Sequence, residues 1–78
     1  MARGVGNTQV KMLKVLRNYD HFGFGWHDGK NVRGMFPSKA LRIFGTLADR
    51  GLAKYTYTAK NGYRYKINAA GKKWLASR

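Results

Sequence analysis

The chain of 78 residues contains no cysteine and no glutamate, and these two absences limit the kinds of crosslink, metal site and catalytic site that it can form. Without thiols it can form neither disulfides nor thiolate-rich zinc sites. Three aspartates are its only acidic side chains, so acid–base or metal-assisted catalysis has few groups to use. We therefore predict a protein that is not an enzyme and that has no catalytic residues, no metal and no cofactor.

Long hydrophobic runs are also missing. No stretch approaches the roughly 18 apolar residues of a membrane span. The start, Met1–Gly6, has neither the apolar core nor the cleavage site of a signal peptide. We expect a cytoplasmic protein with no membrane partner, in which residues 1–6 form a flexible arm. The short length allows one domain, over residues 1–78.

Positive charge is abundant. Sixteen Lys and Arg residues face three acids, which gives a net charge of +13. These positive charges repel one another, which disfavours the compact state. Each Lys or Arg that binds a phosphate of a nucleic acid releases condensed counterions, which favours binding. A polyanionic partner is therefore favoured over a surface that is basic only for solubility. The hydrophobic content of 44% is sufficient for a folded core.

The spacing of apolar residues predicts two principal helices. In the first, Asn7 or Thr8 is the expected N-cap. Its apolar stripe contains Val10, Met12, Leu13, Val15, Leu16 and Tyr19. In the second, Ser38 is the expected cap and Gly51 the expected left-handed end. Its apolar face contains Ala40, Leu41, Phe44, Leu47 and Ala48.

The connector over residues 20–37 mixes aromatics with glycine. Asp28-Gly29 indicates a turn, and Asn31 is a candidate cap for a short helix that ends before Pro37. The pairs Asp20-His21 and His27-Asp28 could chelate a metal, but their spacing matches no standard site, and a hydrated loop is favoured.

Beyond Gly51 the apolar period changes to two, and Asn61-Gly62 separates the two alternating runs, which predicts a β-hairpin. Asn68 is the expected cap of a short closing helix that carries Trp74 and Leu75. Four tyrosines alternate along the hairpin. They could stack on single-stranded bases, but cross-strand packing is the commoner role. The tyrosines are Tyr55, Tyr57, Tyr63 and Tyr65.

Basic side chains concentrate on the second helix and the hairpin. A helix fits the major groove of DNA, while a basic hairpin reaches the flanking backbone. We predict a nucleic-acid-binding surface of Ser38, Lys39, Arg42, Thr46, Arg50, Lys54, Lys60, Arg64 and Lys66. The alternative for the helical part is a solvated face with no ligand.

The stretch from Ser38 to Leu52, with its Arg50-Gly51-Leu52 exit, resembles the recognition helix of winged helix-turn-helix proteins. Tyr63-Arg64-Tyr65-Lys66-Ile67-Asn68-Ala69-Ala70-Gly71 is similar to the second wing strand and closing helix of their MarR-like branch. The resemblance implies an α+β fold of three or four helices with a two-stranded wing. The long dimerisation helices of that family are absent, so it implies the DNA-binding module and not a ligand-responsive repressor.

We therefore expect double-stranded DNA as the partner, in transcriptional control or as an accessory factor. Two alternatives remain open. One is a component that binds RNA or a ribonucleoprotein through the same basic surface. The other is a small phage-type inhibitor that occupies a nucleic-acid groove on another machine.

Overall fold

A computed structural model describes residues 6–77, so all but one residue of the expected arm lies outside the described part of the chain. The order of elements is α1 (Asn7–His21), α2 (Pro37–Asp49), β1 (Ala53–Thr58), β2 (Gly62–Ile67) and α3 (Ala69–Ala76). The predicted α+β class is confirmed, with three helices and a two-stranded antiparallel hairpin in the described residues.

Helix α1 presents the predicted apolar stripe to the interior, where Val10, Met12, Leu13 and Leu16 are buried. Its cap differs from the prediction. Asn7 already lies within the helix, and the N-cap is Gly6, whose N–H donates to Oε1 of Gln9 at 3.1 Å. The side chain that accepts a backbone N–H at this end of the helix is therefore Gln9, a residue of the first turn itself.

The short helix predicted after Asn31 is absent, and this prediction is wrong. Asn31 and Gly34 have φ values of 62° and 74°, in the left-handed region that a right-handed helix excludes. The segment instead makes turns, one of them closed by a bond from Met35 N–H to the Val32 carbonyl at 3.1 Å. Buried Val32 fixes this part of the connector to the core.

Helix α2 begins one residue before the expected cap. Pro37 is the first helical residue and Phe36 is the N-cap, with no side-chain capping bond, so the capping role predicted for Ser38 is wrong. Proline is well suited to the first helical position because its fixed φ is helical and its missing N–H would have no intrahelical partner. Ser38 is therefore exposed within the first turn.

The other end of α2 has the predicted geometry. Gly51, with φ 78°, donates its N–H to the Ala48 carbonyl, and Leu52 donates to the Leu47 carbonyl, both at 3.0 Å. These two bonds form a Schellman motif that satisfies the last carbonyls of the helix. Leu52 is then buried, and the chain enters β1 directly beside the core.

The hairpin contacts both the helices and the connector, and the connector is reached through β2. In its register Tyr55 faces Tyr65 and Tyr57 faces Tyr63. His27 of the connector pairs antiparallel with Tyr65 on the other edge of β2, through backbone bonds of 2.8 and 2.9 Å. Strand β2 therefore lies between β1 and the connector.

Helix α3 closes the fold against α1 and the start of the hairpin. Oδ1 of Asn68 accepts the N–H of Gly71 at 2.8 Å, which confirms the predicted cap. Leu75 is buried and Trp74 packs against the core while partly exposed. Gly71 itself is buried, and a Cβ there would overlap the Leu52 carbonyl oxygen and lie 2.8 Å from Cγ1 of Ile67.

This close approach predicts that Gly71→Ala destabilises the protein, by about 1–3 kcal/mol or more, because α3 must shift away from the Leu52 backbone. Gly45→Ala in α2 is the matched control. A Cβ at Gly45 meets only the Tyr65 hydroxyl, at 3.5 Å, so the better helix propensity of alanine should leave stability equal or higher. Urea unfolding of both variants measures the difference, and equal midpoints would contradict the packing described for α3.

Candidate nucleic-acid interface

The first half of α2 carries three of the predicted binding residues on its solvent side. Ser38, Lys39 and Arg42 are all exposed. Because no side chain caps this end of the helix, the backbone N–H groups of Ser38 and Lys39 also have no capping partner. The helix therefore presents positive charge and hydrogen-bond donors at its N-terminus, an arrangement that suits a phosphate.

The sequence prediction placed the Thr46 side chain on the outer face of α2. In the structure this side chain does not point freely outward. Its hydroxyl accepts a hydrogen bond from Nε2 of Gln9 at 2.7 Å and donates to the Ile43 carbonyl at 2.6 Å. The residue is half-buried between α1 and α2. Thr46 therefore joins the two helices, and its hydroxyl is already used within the protein.

Arg50 lies at the far end of the same helix. It is exposed and occupies the C-cap position, about 18 Å along the axis from Ser38 at the usual rise per residue. A cation there also interacts favourably with the negative end of the helix dipole. The predicted basic stripe is therefore present, but its two ends are far apart.

Lys54 and Lys66 occupy facing positions at the base of the hairpin, on the side opposite the buried Tyr65. Nζ of Lys54 lies 5.9 Å from the ring centre of Trp26, within range of a cation–π contact. Nζ of Lys66 lies 3.6 Å from the carboxylate of Asp20. The sequence did not predict either contact, because both partners belong to the α1–connector region.

Asp20 is held by two lysines, since Nζ of Lys72 also lies 2.8 Å from its carboxylate. The hydrogen bond from Lys72 is the main reason that the pKa of Asp20 lies below its usual value; partial burial opposes this shift, and the charges of Lys72 and Lys66 add to it. Part of the charge of Lys66 is thus compensated inside the protein. Among the residues from 6 to 77, no other ion pair is formed.

The hairpin turn and the first turns of α2 line a common cleft. Pro37 and Leu41 of α2 form one side of it, and the hairpin residues from Lys60 to Arg64 form the other. Lys30 of the connector lines the same cleft, as does Asp28, whose carboxylate caps the Lys30 backbone N–H at 2.9 Å. We call this feature the basic cleft and define it by three cations: Lys30, Lys60 and Arg64.

Arg64 is half-buried in this cleft. Its Nε is buried and, in the described part of the chain, has no hydrogen-bond partner. Sequence reasoning selected Lys60 and Arg64 from their place beside the hairpin turn, but it missed Lys30. The only local signal for Lys30 was the Asp28-Gly29 turn, which does not show that the connector folds toward α2.

The tyrosines form a continuous row across the hairpin. Ring centres are 4.8 Å apart for Tyr57 and Tyr63, and 6.0 Å apart for Tyr55 and Tyr63, so the predicted cross-strand packing is confirmed. Tyr65 is buried against Phe44, with ring centres 5.8 Å apart. The other three tyrosines are exposed.

His27 is a core residue. Its ring lies between Tyr19 and Phe44, at 4.3 and 5.1 Å between ring centres, and Nδ1 accepts the backbone N–H of Gly29 at 2.9 Å. Burial lowers the pKa of His27 below its usual value, and the nearby Asp28 charge opposes this shift. An accepting Nδ1 and a lowered pKa both correspond to a neutral ring.

Two further observations concern metals and membranes. Across residues 6–77, no group of three His, Asp or Glu side chains is placed to hold a metal ion. None of the helices in this part of the chain is both long and apolar enough to cross a bilayer.

The position of His27 predicts that the protein loses stability as the pH falls below about 6.5, the usual pKa of histidine in an unfolded chain. The folded state disfavours the protonated ring, so the contribution of neutral His27 is complete above that pH and decreases below it. The loss of stability linked to Asp20 occurs at lower pH, below the usual pKa of this carboxyl, 3.8. Unfolding midpoints between about pH 7.5 and pH 5 measure the histidine effect.

His27→Phe should remove the slope in this pH range. At neutral pH it should also lower the free energy of unfolding by about 1–3 kcal/mol, because the Gly29 N–H loses its acceptor, and this difference from the wild type should become smaller as the pH falls. The control is His21→Phe, at an exposed position, which should keep the slope. A slope that follows His21 instead would contradict the buried, neutral state of His27.

The chain was also compared with protein-family models, with curated proteins and with solved structures, and none of the three comparisons finds a match.

Proposed function

We propose that this protein is a winged-helix domain that binds double-stranded DNA, with the first half of α2 as its recognition element and the hairpin as its wing. Binding, and not catalysis, is the proposed activity. The order of elements supports the assignment, since an amphipathic helix is followed by a basic hairpin and a short closing helix. Control of transcription is the role that fits such a module best.

The observation that carries this proposal is the basic cleft beside the exposed N-terminal half of α2. Lys60 and Arg64 from the hairpin and Lys30 from the connector line the cleft together with Pro37 and Leu41 of α2. The exposed residues Ser38 and Arg42 directly follow these two positions in the helix. Three cations from two separate segments therefore meet beside the first turns of α2. Apart from Asp28, which also lines the cleft, the described residues provide no counter-charge there.

Each group has a role that follows from its placement. Arg42 is exposed on the helix and long enough to reach a guanine edge with its two-pronged guanidinium. Lys39, Lys60 and Arg64 would hold backbone phosphates, which fix the register without reading sequence. Thr46 has no role at the interface, because its hydroxyl is bonded to Gln9 and Ile43. Arg50, Lys54 and Lys66 lie further from the cleft and contribute mainly long-range attraction.

A second candidate function is favoured by a different surface. Phe22 and Phe24 are 68% and 65% exposed, and together with Tyr19 they line a shallow pocket at the end of α1. Exposed aromatic side chains are typical of contacts with another protein. This surface fits an inhibitor that binds a nucleic-acid machine. Substitution of both phenylalanines by serine should abolish such an interaction and leave binding to bare duplex unchanged.

The first test is the salt dependence of binding to duplex DNA. With about six phosphate contacts, affinity should fall by roughly a thousandfold between about 50 and 200 mM salt, because bound cations release counterions from the duplex. Fluorescence anisotropy over a salt series measures the slope. No binding to duplex, or an affinity that does not depend on salt, would rule out the proposed mode.

The second test is Arg42→Ala, which should weaken binding to a preferred sequence by about 1–3 kcal/mol and affect unrelated duplexes less. The matched control is Lys73→Ala on α3, which removes the same charge from a helix that packs on α1. A preferred duplex must first be selected from a random library with the wild-type protein. If Arg42→Ala retains wild-type affinity and sequence preference while it remains folded, α2 is not the recognition element.

A further inference from the structure

Three exposed tyrosines on one face of the hairpin have no role in the binding mode proposed above. Tyr55, Tyr57 and Tyr63 are 60%, 58% and 49% exposed, whereas Tyr65 in the same row is 8% exposed. Packing within the hairpin explains why the rings touch each other, but it leaves their outer surfaces in water. Neither the phosphate contacts of the basic residues nor the base contacts proposed for α2 use the flat faces of these rings.

The row is held in place by its neighbours. Tyr57 faces Tyr63 directly across the hairpin, with ring centres 4.8 Å apart, and Tyr63 lies 6.0 Å from Tyr55. Each ring is therefore restrained before any ligand arrives. A pre-ordered aromatic surface loses little conformational entropy on binding, which favours a flat partner.

The charges around the row differ between its two ends. Tyr63 lines the basic cleft together with Lys60 and Arg64, and Tyr57 lies opposite it near the turn. At the other end of the row, Asp49 lines a groove with Tyr55 and Tyr65. Burial is the main reason that the pKa of Tyr65 is raised, and the charge of Asp49 adds to this shift. A phosphate would be attracted to the end of the row formed by Tyr57 and Tyr63 and repelled from the end near Asp49. An uncharged aromatic ring of a ligand could occupy either end.

We propose that Tyr57 and Tyr63 stack against unpaired bases of a nucleic acid, with the phosphate next to those bases bound by Lys60. This inference rests on the proposed function and adds to it a ligand class, namely single-stranded nucleotides beside a duplex. Aromatic rings next to cations are the usual means of binding such strands, because every base offers a flat face whatever its sequence. The protein would then bind most tightly where a duplex adjoins a single strand.

The experiment compares two DNA probes in anisotropy titrations at one salt concentration. One is a blunt duplex, and the other is the same duplex extended by a single-stranded thymidine tail. The wild-type protein should bind the tailed probe on the order of 10-fold more tightly. In the double variant Tyr57→Thr/Tyr63→Thr, which keeps residues suited to strands, the ratio of the two affinities should fall to about one. The ratio is the readout, because Tyr63 also lines the basic cleft and its loss can change the affinity for both probes. Thermal unfolding confirms that the variant is folded.

The matched control is Tyr57→Phe/Tyr63→Phe, which keeps the rings and should keep the preference for the tail. A photoreactive iodouracil in the tail adds a readout that requires no variant, since it should crosslink the wild-type protein at Tyr57 or Tyr63.

Equal affinity of the wild-type protein for both probes, a tail preference that survives in the threonine variant, or crosslinks only at other residues would each overturn this inference. If the blunt duplex is bound with the expected salt dependence in those cases, the proposed function stands without it. If neither probe is bound, both fail.

Discussion

The segment between α1 and α2 has little regular structure, and His27 fixes it to the rest of the protein. Its backbone pairs with Tyr65 on the edge of β2, while its ring lies between Tyr19 of α1 and Phe44 of α2. This contact adds to those that the hairpin makes with the helices through its buried side chains and through the ion pair between Lys66 and Asp20. The position of Lys30, and hence the composition of the basic cleft, also depends on it, because the connector turns toward α2 immediately after His27.

The second constraint is the shortage of acids. With three aspartates among 78 residues, the protein can compensate few of its cations, and the described ion pairs are both made by Asp20. That carboxylate joins the end of α1 to Lys66 of β2 and Lys72 of α3, so both ion pairs lie where three elements meet. The other basic groups of residues 6–77 form no ion pair. Their mutual repulsion lowers the stability of the protein, and a polyanionic ligand of the kind proposed would relieve it.

Much of the fold could be predicted from local patterns, because helix, turn and strand preferences act over a few residues. Apolar spacing located α1 and the core face of α2, Gly51 marked the end of α2, and the alternation on either side of Asn61-Gly62 predicted the hairpin. Net charge alone pointed to a polyanion. The same local rules failed where two of them competed. Pro37 replaced Ser38 as the residue that starts α2, and left-handed Asn31 and Gly34 prevented a helix in the connector.

The candidate site was only partly predictable, since proximity in space is decided by tertiary packing. The sequence identified basic residues on α2 and the hairpin, but not that Lys60 and Arg64 meet Lys30 at the start of α2, that Lys66 is paired with Asp20, or that the Thr46 hydroxyl is bonded to Gln9. The sequence by itself therefore determined the two principal helices, the hairpin and the closing helix, and that the protein is strongly cationic. The tertiary structure decided which cations remain available and where they gather, because charge interactions depend on distances between segments far apart in the chain.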